Sequence, residues 1–128
     1  MSDLLFAYGF LKRAYHGDPE TKTPPMEVEY LGEGTYTGMI YLIDPYPGVK
    51  FDPSQRYLVN GEIFRLKEPE KMLRVLDQYE RSLPLCTINP EYERVLRLIS
   101  TQKGKLKCWV YEYLGTPDEN TQILSGRF

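Results

Sequence analysis

Pro69-Glu70-Lys71-Met72-Leu73-Arg74-Val75-Leu76-Asp77-Gln78-Tyr79-Glu80-Arg81 carries the one clear helical period of the sequence. Proline suits a first helical position, because it has no N–H to leave unbonded there. Glu70 then sets negative charge beside the positive end of the helix dipole. Leu73, Leu76 and Glu80 follow at steps of three and four, and Met72, Leu76, Tyr79 and Leu83 do the same. Side chains so spaced share one face, which predicts an amphipathic helix over 69–81. The rest of the chain reads as strand or loop, and that contrast decides the fold class.

Outward from this helix the strands are short and well marked. Leu4-Leu5-Phe6-Ala7-Tyr8 is an apolar run stopped by Gly9, as expected of a buried first strand ending at a glycine bend. Residues 14–26 are polar and proline-containing and read as loop. Residues 27–43 mix β-branched, aromatic and glycine residues, which predicts one or two strands. Asp44-Pro45-Tyr46-Pro47-Gly48 is dense in turn formers and reads as loop. Residues 57–66 read as a strand containing Gly61. Beyond the helix, 92–100 and 106–114 read as strands joined by a Lys103-Gly104 turn, and 115–128 is a mostly polar tail. One helix among many strands predicts an α+β fold whose sheet curls around one core.

Composition narrows the function classes. A chain of 128 residues has the usual size of one domain, so residues 1–128 are expected to form a single one. Aromatics at 13%, with 11 Tyr, argue against disorder and suit a polar pocket. A net charge of −2 leaves no excess of basic residues to grip phosphates, so no nucleic-acid partner is expected. Cys86, Cys108 and the single histidine, His16, cannot assemble a zinc site of familiar spacing, and neither metal nor cofactor is expected. The apolar run near the N-terminus is too short for a signal segment or a membrane span. The expectation is therefore no membrane partner, cytoplasmic residence and two reduced thiols.

Glu80 is the position most suggestive of chemistry. The helical steps place it on the stripe of Leu73 and Leu76, facing inward. A carboxyl in apolar surroundings holds its proton more tightly, which tunes it to exchange protons near neutral pH. The competing reading ends the helix near Glu80 and lets the side chain reach solvent or Arg81. Tyr8-Gly9-Phe10-Leu11-Lys12-Arg13 is the second feature: a glycine at a strand end lets the backbone turn and present successive amides to an anion or an amide oxygen. It reads equally as an ordinary turn, with Lys12 and Arg13 as solvated charge. Asp77 lies one turn before Glu80 and reads as a charge-coupled neighbour or as wet face. His16 reads as surface, Cys86 as an idle thiol and Trp109 as core.

Six segments stand in order across nearly the whole chain: Phe6-Ala7-Tyr8-Gly9-Phe10-Leu11-Lys12-Arg13, Tyr46-Pro47-Gly48, Val59-Asn60-Gly61-Glu62-Ile63-Phe64, Leu76-Asp77-Gln78-Tyr79-Glu80, Tyr92-Glu93-Arg94 and Trp109-Val110-Tyr111-Glu112-Tyr113. They resemble the YG(S/T)L opening, the YPG loop, the V-x-G-E-(V/L)-Y strand, the LDxxE segment, the Y-x-R pair and the late aromatic strand of the γ-glutamylcyclotransferase-like family. That family includes γ-glutamylamine cyclotransferases and plant avirulence-induced (AIG2-like) proteins. The resemblance implies a small mixed β-barrel with a helix packed outside. It implies Glu80 as the acid/base residue, the backbone of Tyr8, Gly9, Phe10 and Leu11 as the substrate cradle, and Tyr92 beside the same pocket. Phe10 departs from the family's Ser or Thr, which removes a hydroxyl contact but leaves the backbone amides.

The activity implied is intramolecular aminolysis of a small γ-glutamyl amine or peptide, by a monomer or homodimer. The substrate's α-amine attacks its own γ-amide, releasing 5-oxoproline and an amine. Two alternatives remain open at this point. One is a non-catalytic ligand-binding domain of the same fold, favoured by Phe10. The other is cyclisation or cleavage of an unrelated γ-glutamyl conjugate.

Overall fold

The computed structural model describes residues 2–43, 45–81 and 92–128, with the Arg81 side chain left aside. Leu83 and Cys86, both read from the sequence, lie outside the described residues. The elements run β1 (Leu4–Ala7), β2 (Val28–Leu42), β3 (Pro47–Phe51), β4 (Leu58–Leu66), α1 (Pro69–Arg81), β5 (Tyr92–Thr101) and β6 (Gly104–Tyr113).

β1 pairs antiparallel with β4, β4 with β2, and β2 with β3. β6 runs parallel to both β3 and β1, meeting them at Val49↔Glu112 and Leu5↔Trp109. These contacts close five strands into a mixed barrel. β5 is the extra strand: it pairs with β6 from Tyr92↔Tyr113 to Thr101↔Gly104 and touches β2 at Thr35↔Ser100. The fold is α+β, a closed five-stranded barrel with one added strand and one helix outside.

Alternation along the strands makes two apolar layers. Phe6 and Tyr8 from the start of the chain, Tyr36, Val59, Ile63, Cys108 and Val110 point into the barrel. Leu5, Ala7, Phe64, Leu66 and Tyr111 point outward, against Met72, Leu73, Leu76 and Tyr79 of α1. Strands buried on both faces need unbroken apolar runs, which is why Leu4-Leu5-Phe6-Ala7-Tyr8 shows no polar alternation. Cys108 is a free thiol inside the barrel, and burial pushes it up to about 12, far from the reactive range.

Residues 27–43, expected as one or two strands, hold one long strand, β2. Two other expectations change. Pro47 and Gly48, read as loop, open β3, where Pro47 lies opposite Leu42. Proline is tolerated at the first position of a strand, and its turn-former neighbours masked the signal. His16, read as surface, is half-buried: its Nε2 lies 2.6 Å from the Leu11 carbonyl and its ring packs 5.1 Å from that of Phe64. No helix among the described residues is long and apolar enough to cross a membrane.

Candidate functional site

Helix α1 begins as the sequence predicts, with Pro69 first and the Met72 amide bonded to the Glu68 carbonyl. Its apolar stripe seats on the outer face of β1, β4 and β6, and the same stripe carries Glu80 to a cavity at one end of the barrel. The opposite wall is the segment Tyr8, Gly9, Phe10 and Leu11, where the chain leaves β1. Tyr46 and Pro47 close one side, and Tyr92 of β5 and Tyr111 of β6 close another. All the site residues expected from the sequence therefore meet at one cavity. A second cavity adjoins it, with Glu80, Tyr92 and Tyr111 shared and Asp77, Glu93, Arg94 and Leu114 added.

Among the charged residues described, Glu80 alone lines the first cavity. Its carboxyl forms no hydrogen bond or ion pair with any described residue. Burial, then the negative charge of Asp77, pushes its pKa up from the ordinary carboxylate range to about 8. The cost of desolvating a charge without a partner is the physical reason. The residue as a whole is half-buried, because it opens onto the cavity. The acid is thus within reach of a ligand and poised close to neutral pH.

The aromatic wall is tied down by its hydroxyls. Tyr8 donates to the Tyr111 carbonyl at 2.6 Å and Tyr92 to the Pro47 carbonyl at 2.8 Å. Burial, then the Glu80 charge, raises the Tyr8 phenol well above its usual range. Tyr79 donates to the Thr21 carbonyl at 3.0 Å, and buried Thr23 donates to the Phe10 carbonyl at 3.0 Å. The loop 14–26 therefore braces the cradle from behind. Among the described residues the Phe10 and Leu11 amides have no acceptor, while the Gly9 carbonyl takes the Lys12 amide at 3.1 Å. Gly9 owes its place to a close approach: a Cβ there would lie 2.6 Å from Pro47 Cγ. Phe10 meets Tyr15 and Phe128 edge-on, with ring centroids 5.1 and 5.4 Å away.

Asp77 is held on both oxygens. Arg94 Nε donates to Oδ1 at 2.8 Å and Nη2 to Oδ2 at 3.1 Å, while Tyr111 Oη donates to Oδ1 at 2.6 Å. The Arg94 guanidinium lies 4.3 Å from the centre of the Trp109 ring, which is half-buried and donates Nε1 to the Ser2 carbonyl. Sequence reasoning missed Arg94 and Tyr111 as site residues. Both stood inside recognisable motifs, yet their meeting with Asp77 joins three elements distant in the chain. Lys12 is also less free than solvated charge, donating Nζ to the Phe128 carbonyl at 3.0 Å, whereas exposed Arg13 pairs with Glu62 at 3.4 Å.

The closed mixed barrel carries at its mouth an acid with no partner among the described residues, facing a strand-end loop, the kind of concave, mostly apolar setting in which small molecules bind. Over residues 5–128 the sequence matches the family described as gamma-glutamyl cyclotransferase, AIG2-like, and the chain belongs to that family. No curated protein matches it. Among solved structures it is similar to YkqA from Bacillus subtilis, at 19% identity and a TM-score of 0.71. All of this chain but only 40% of YkqA is covered, so the chain spans less than half the length of that protein. It is also similar to an AIG2-like protein from mouse (Mus musculus), at 20% identity and TM-score 0.70 over 98% of this chain and 87% of that one. YtfP from Escherichia coli is similar at 22% identity and TM-score 0.59, over 98% and 95% of the two chains. At these identities the likeness speaks to the fold alone.

Proposed function

We propose that this chain is a cyclotransferase that releases 5-oxoproline and an amine from a γ-glutamyl amine or peptide, with Glu80 as general acid and base. The observation that carries the reading is the cavity in which a carboxyl with no partner among the described residues, pushed up to about 8, faces the Tyr8–Leu11 cradle. A γ-glutamyl substrate brings an ammonium group, and a positive charge beside Glu80 favours the carboxylate. The carboxylate takes one proton from the ammonium. The freed amine attacks the γ-carbonyl carbon, closing a five-membered ring. The Phe10 and Leu11 amides, which have no acceptor among the described residues, steady the oxygen that gains charge. Glu80, now protonated, gives its proton to the departing nitrogen as the C–N bond breaks; its carboxylate then takes the second proton that the ring nitrogen must lose to become the lactam N–H and passes it to the released amine, which leaves as an ammonium ion. An amine already tethered to its target has a high effective concentration, so the protein needs mainly to fold the substrate and move protons.

The test is 5-oxoproline release from γ-glutamyl amines, γ-glutamyl dipeptides and γ-glutamyl-lysine. Turnover is expected on at least one class, with the acid limb of kcat/KM near pH 8, reporting free Glu80. The acid limb of kcat should lie lower, since the bound ammonium stabilises the carboxylate. Complete inactivity on every class would overturn the proposal.

A further inference from the structure

We propose that Arg94 is a positioning residue, held by Asp77, Tyr111 and the Trp109 face so that it cannot pair with Glu80. The inference rests on the reading of Glu80 as the acid/base group and adds how that group is kept from pairing with Arg94. Arg94 and Glu80 line the same cavity. A guanidinium free in that cavity would find the Glu80 carboxylate, fix it as an ion pair and end its traffic in protons. Asp77 prevents this by taking both ends of the guanidinium fork, through Nε and Nη2. Tyr111 adds a third bond on the same carboxylate, and the indole ring supports the guanidinium plane. Two carboxylates three residues apart on one helix thus divide the work: one occupies the Arg94 cation, and the other has no partner among the described residues.

Among the described residues, the groups that bear on Glu80 come from three strands' ends and from its own helix. Asp77 and Tyr79 lie on α1, Tyr8 follows β1, Tyr92, Glu93 and Arg94 lie on β5, and Tyr111 lies on β6. Burial raises the phenols of Tyr8, Tyr79 and Tyr111 above their ordinary range, so they are neutral at working pH; among the described residues lining the two cavities, Asp77, Arg94 and Glu93 are then the charges beside Glu80. Removing Asp77 both deletes a negative charge and releases Arg94, and both effects favour ionised Glu80. Removing Arg94 takes a positive charge away from the cavity and from Asp77, and that favours protonated Glu80. The two single substitutions therefore push in opposite directions, and the pair together should nearly cancel.

The experiment is a side-chain carboxyl titration by ¹³C NMR on ligand-free protein, with the Glu80 signal assigned by its loss in Glu80→Gln. No turnover is needed, so failure here is separable from failure of the cyclotransferase reading. Asp77→Asn should lower the Glu80 midpoint by about 1–3 pH units, the usual reach of a nearby opposite charge. Arg94→Gln should raise it, and Asp77→Asn with Arg94→Gln should return it close to wild type. Tyr111→Phe keeps both charges and should move it little. Each variant's fold is checked by near-UV circular dichroism. A folded Asp77→Asn protein whose Glu80 midpoint stays put or rises overturns the proposal. So does a double variant that stays at the Asp77→Asn value. Should Asp77→Asn fail to fold, a folded Arg94→Gln protein whose midpoint falls overturns it equally.

Discussion

β5 carries two arginines three residues apart, and each builds the same device on an opposite face of the strand. Arg94 grips Asp77 at 2.8 and 3.1 Å, and Arg97 grips Glu112 at 2.8 and 3.1 Å. A tyrosine hydroxyl joins each carboxylate, Tyr111 at 2.6 Å and Tyr36 at 2.7 Å. An aromatic ring supports each guanidinium, Trp109 at 4.3 Å and Phe51 at 3.8 Å. Around Arg97 the carboxylate, hydroxyl and cation complete one another, and the cluster anchors β5 to β6 beside the barrel interior. Around Arg94 the same set is complete too, but Glu80 stands beside it with no partner among the described residues. The difference between the two regions is one extra carboxyl. An ion pair with every donor satisfied is scaffold, and a buried acid that the scaffold declines to satisfy is a candidate for chemistry.

Removing the odd group should give the largest effect. Glu80→Gln keeps the size and the hydrogen-bonding capacity of the side chain but cannot accept the ammonium proton. Turnover should fall by about 10²–10⁴-fold, the usual worth of general acid/base help, while γ-glutamyl compounds still bind. Steady-state kinetics beside calorimetric titration would separate the two. A variant that keeps more than about a tenth of wild-type turnover removes Glu80 from the mechanism.

The same substitution should also change stability with pH, independently of any substrate. The Glu80 pKa in the folded protein is raised from 4.5 to about 8, so the folded state binds a proton that the unfolded state has already lost. The stability this proton brings is fully present below about pH 4.5 and is lost as pH rises to about 8. Urea denaturation of wild type and Glu80→Gln at pH 5, 7 and 9 isolates this group, since all others are shared. The Gln variant should gain on wild type by roughly 2–4 kcal/mol across that range, allowing for the side chain's partial opening to the cavity. A constant difference between the two proteins would show that the acid is not held in a desolvating site.

How far the sequence reveals this arrangement depends on whether a feature is local. The 69–81 helix is legible to the residue, because Pro69 and the apolar steps are both encoded within it. Its inward carboxyl is legible for the same reason. The barrel interior announces itself through runs such as Leu5-Phe6-Ala7-Tyr8, buried on both faces. β3 stays hidden because its opening Pro47-Gly48 carries turn chemistry, and its place is decided by β2 and β6. The two arginine clusters are illegible in a deeper sense. Arg94 and Arg97 look alike in sequence, and only the pairing of β5 with β6 and the packing of α1 send them to different carboxylates. Gly9 lies between these cases: its position at a strand end is readable, but its close approach to Pro47 is not.

The smallest expected effect tests the scaffold half of the comparison. Glu112→Gln leaves Arg97 and Tyr36 facing an amide instead of a carboxylate. The amide oxygen can take only part of the former bonding, and its NH₂ end turns a donor toward two donors. A charge-assisted cluster of this kind is worth about 1.5–3 kcal/mol, and the partly exposed Arg97 can recover some of that from water. We expect a stability loss of about 1–2 kcal/mol by urea denaturation. The Glu80 titration should stay at its wild-type midpoint, because Glu112 lines neither cavity that Glu80 faces. This combination distinguishes the clusters in one measurement each: Asp77→Asn shifts the titration of Glu80, and Glu112→Gln shifts only stability. If Glu112→Gln instead moved the Glu80 midpoint as far as Asp77→Asn does, the two arginine sites would be one electrostatic unit. The contrast drawn between scaffold and chemistry would then fail, since the barrel interior, through Tyr36 and the neighbouring Tyr8, would be setting the acid as well.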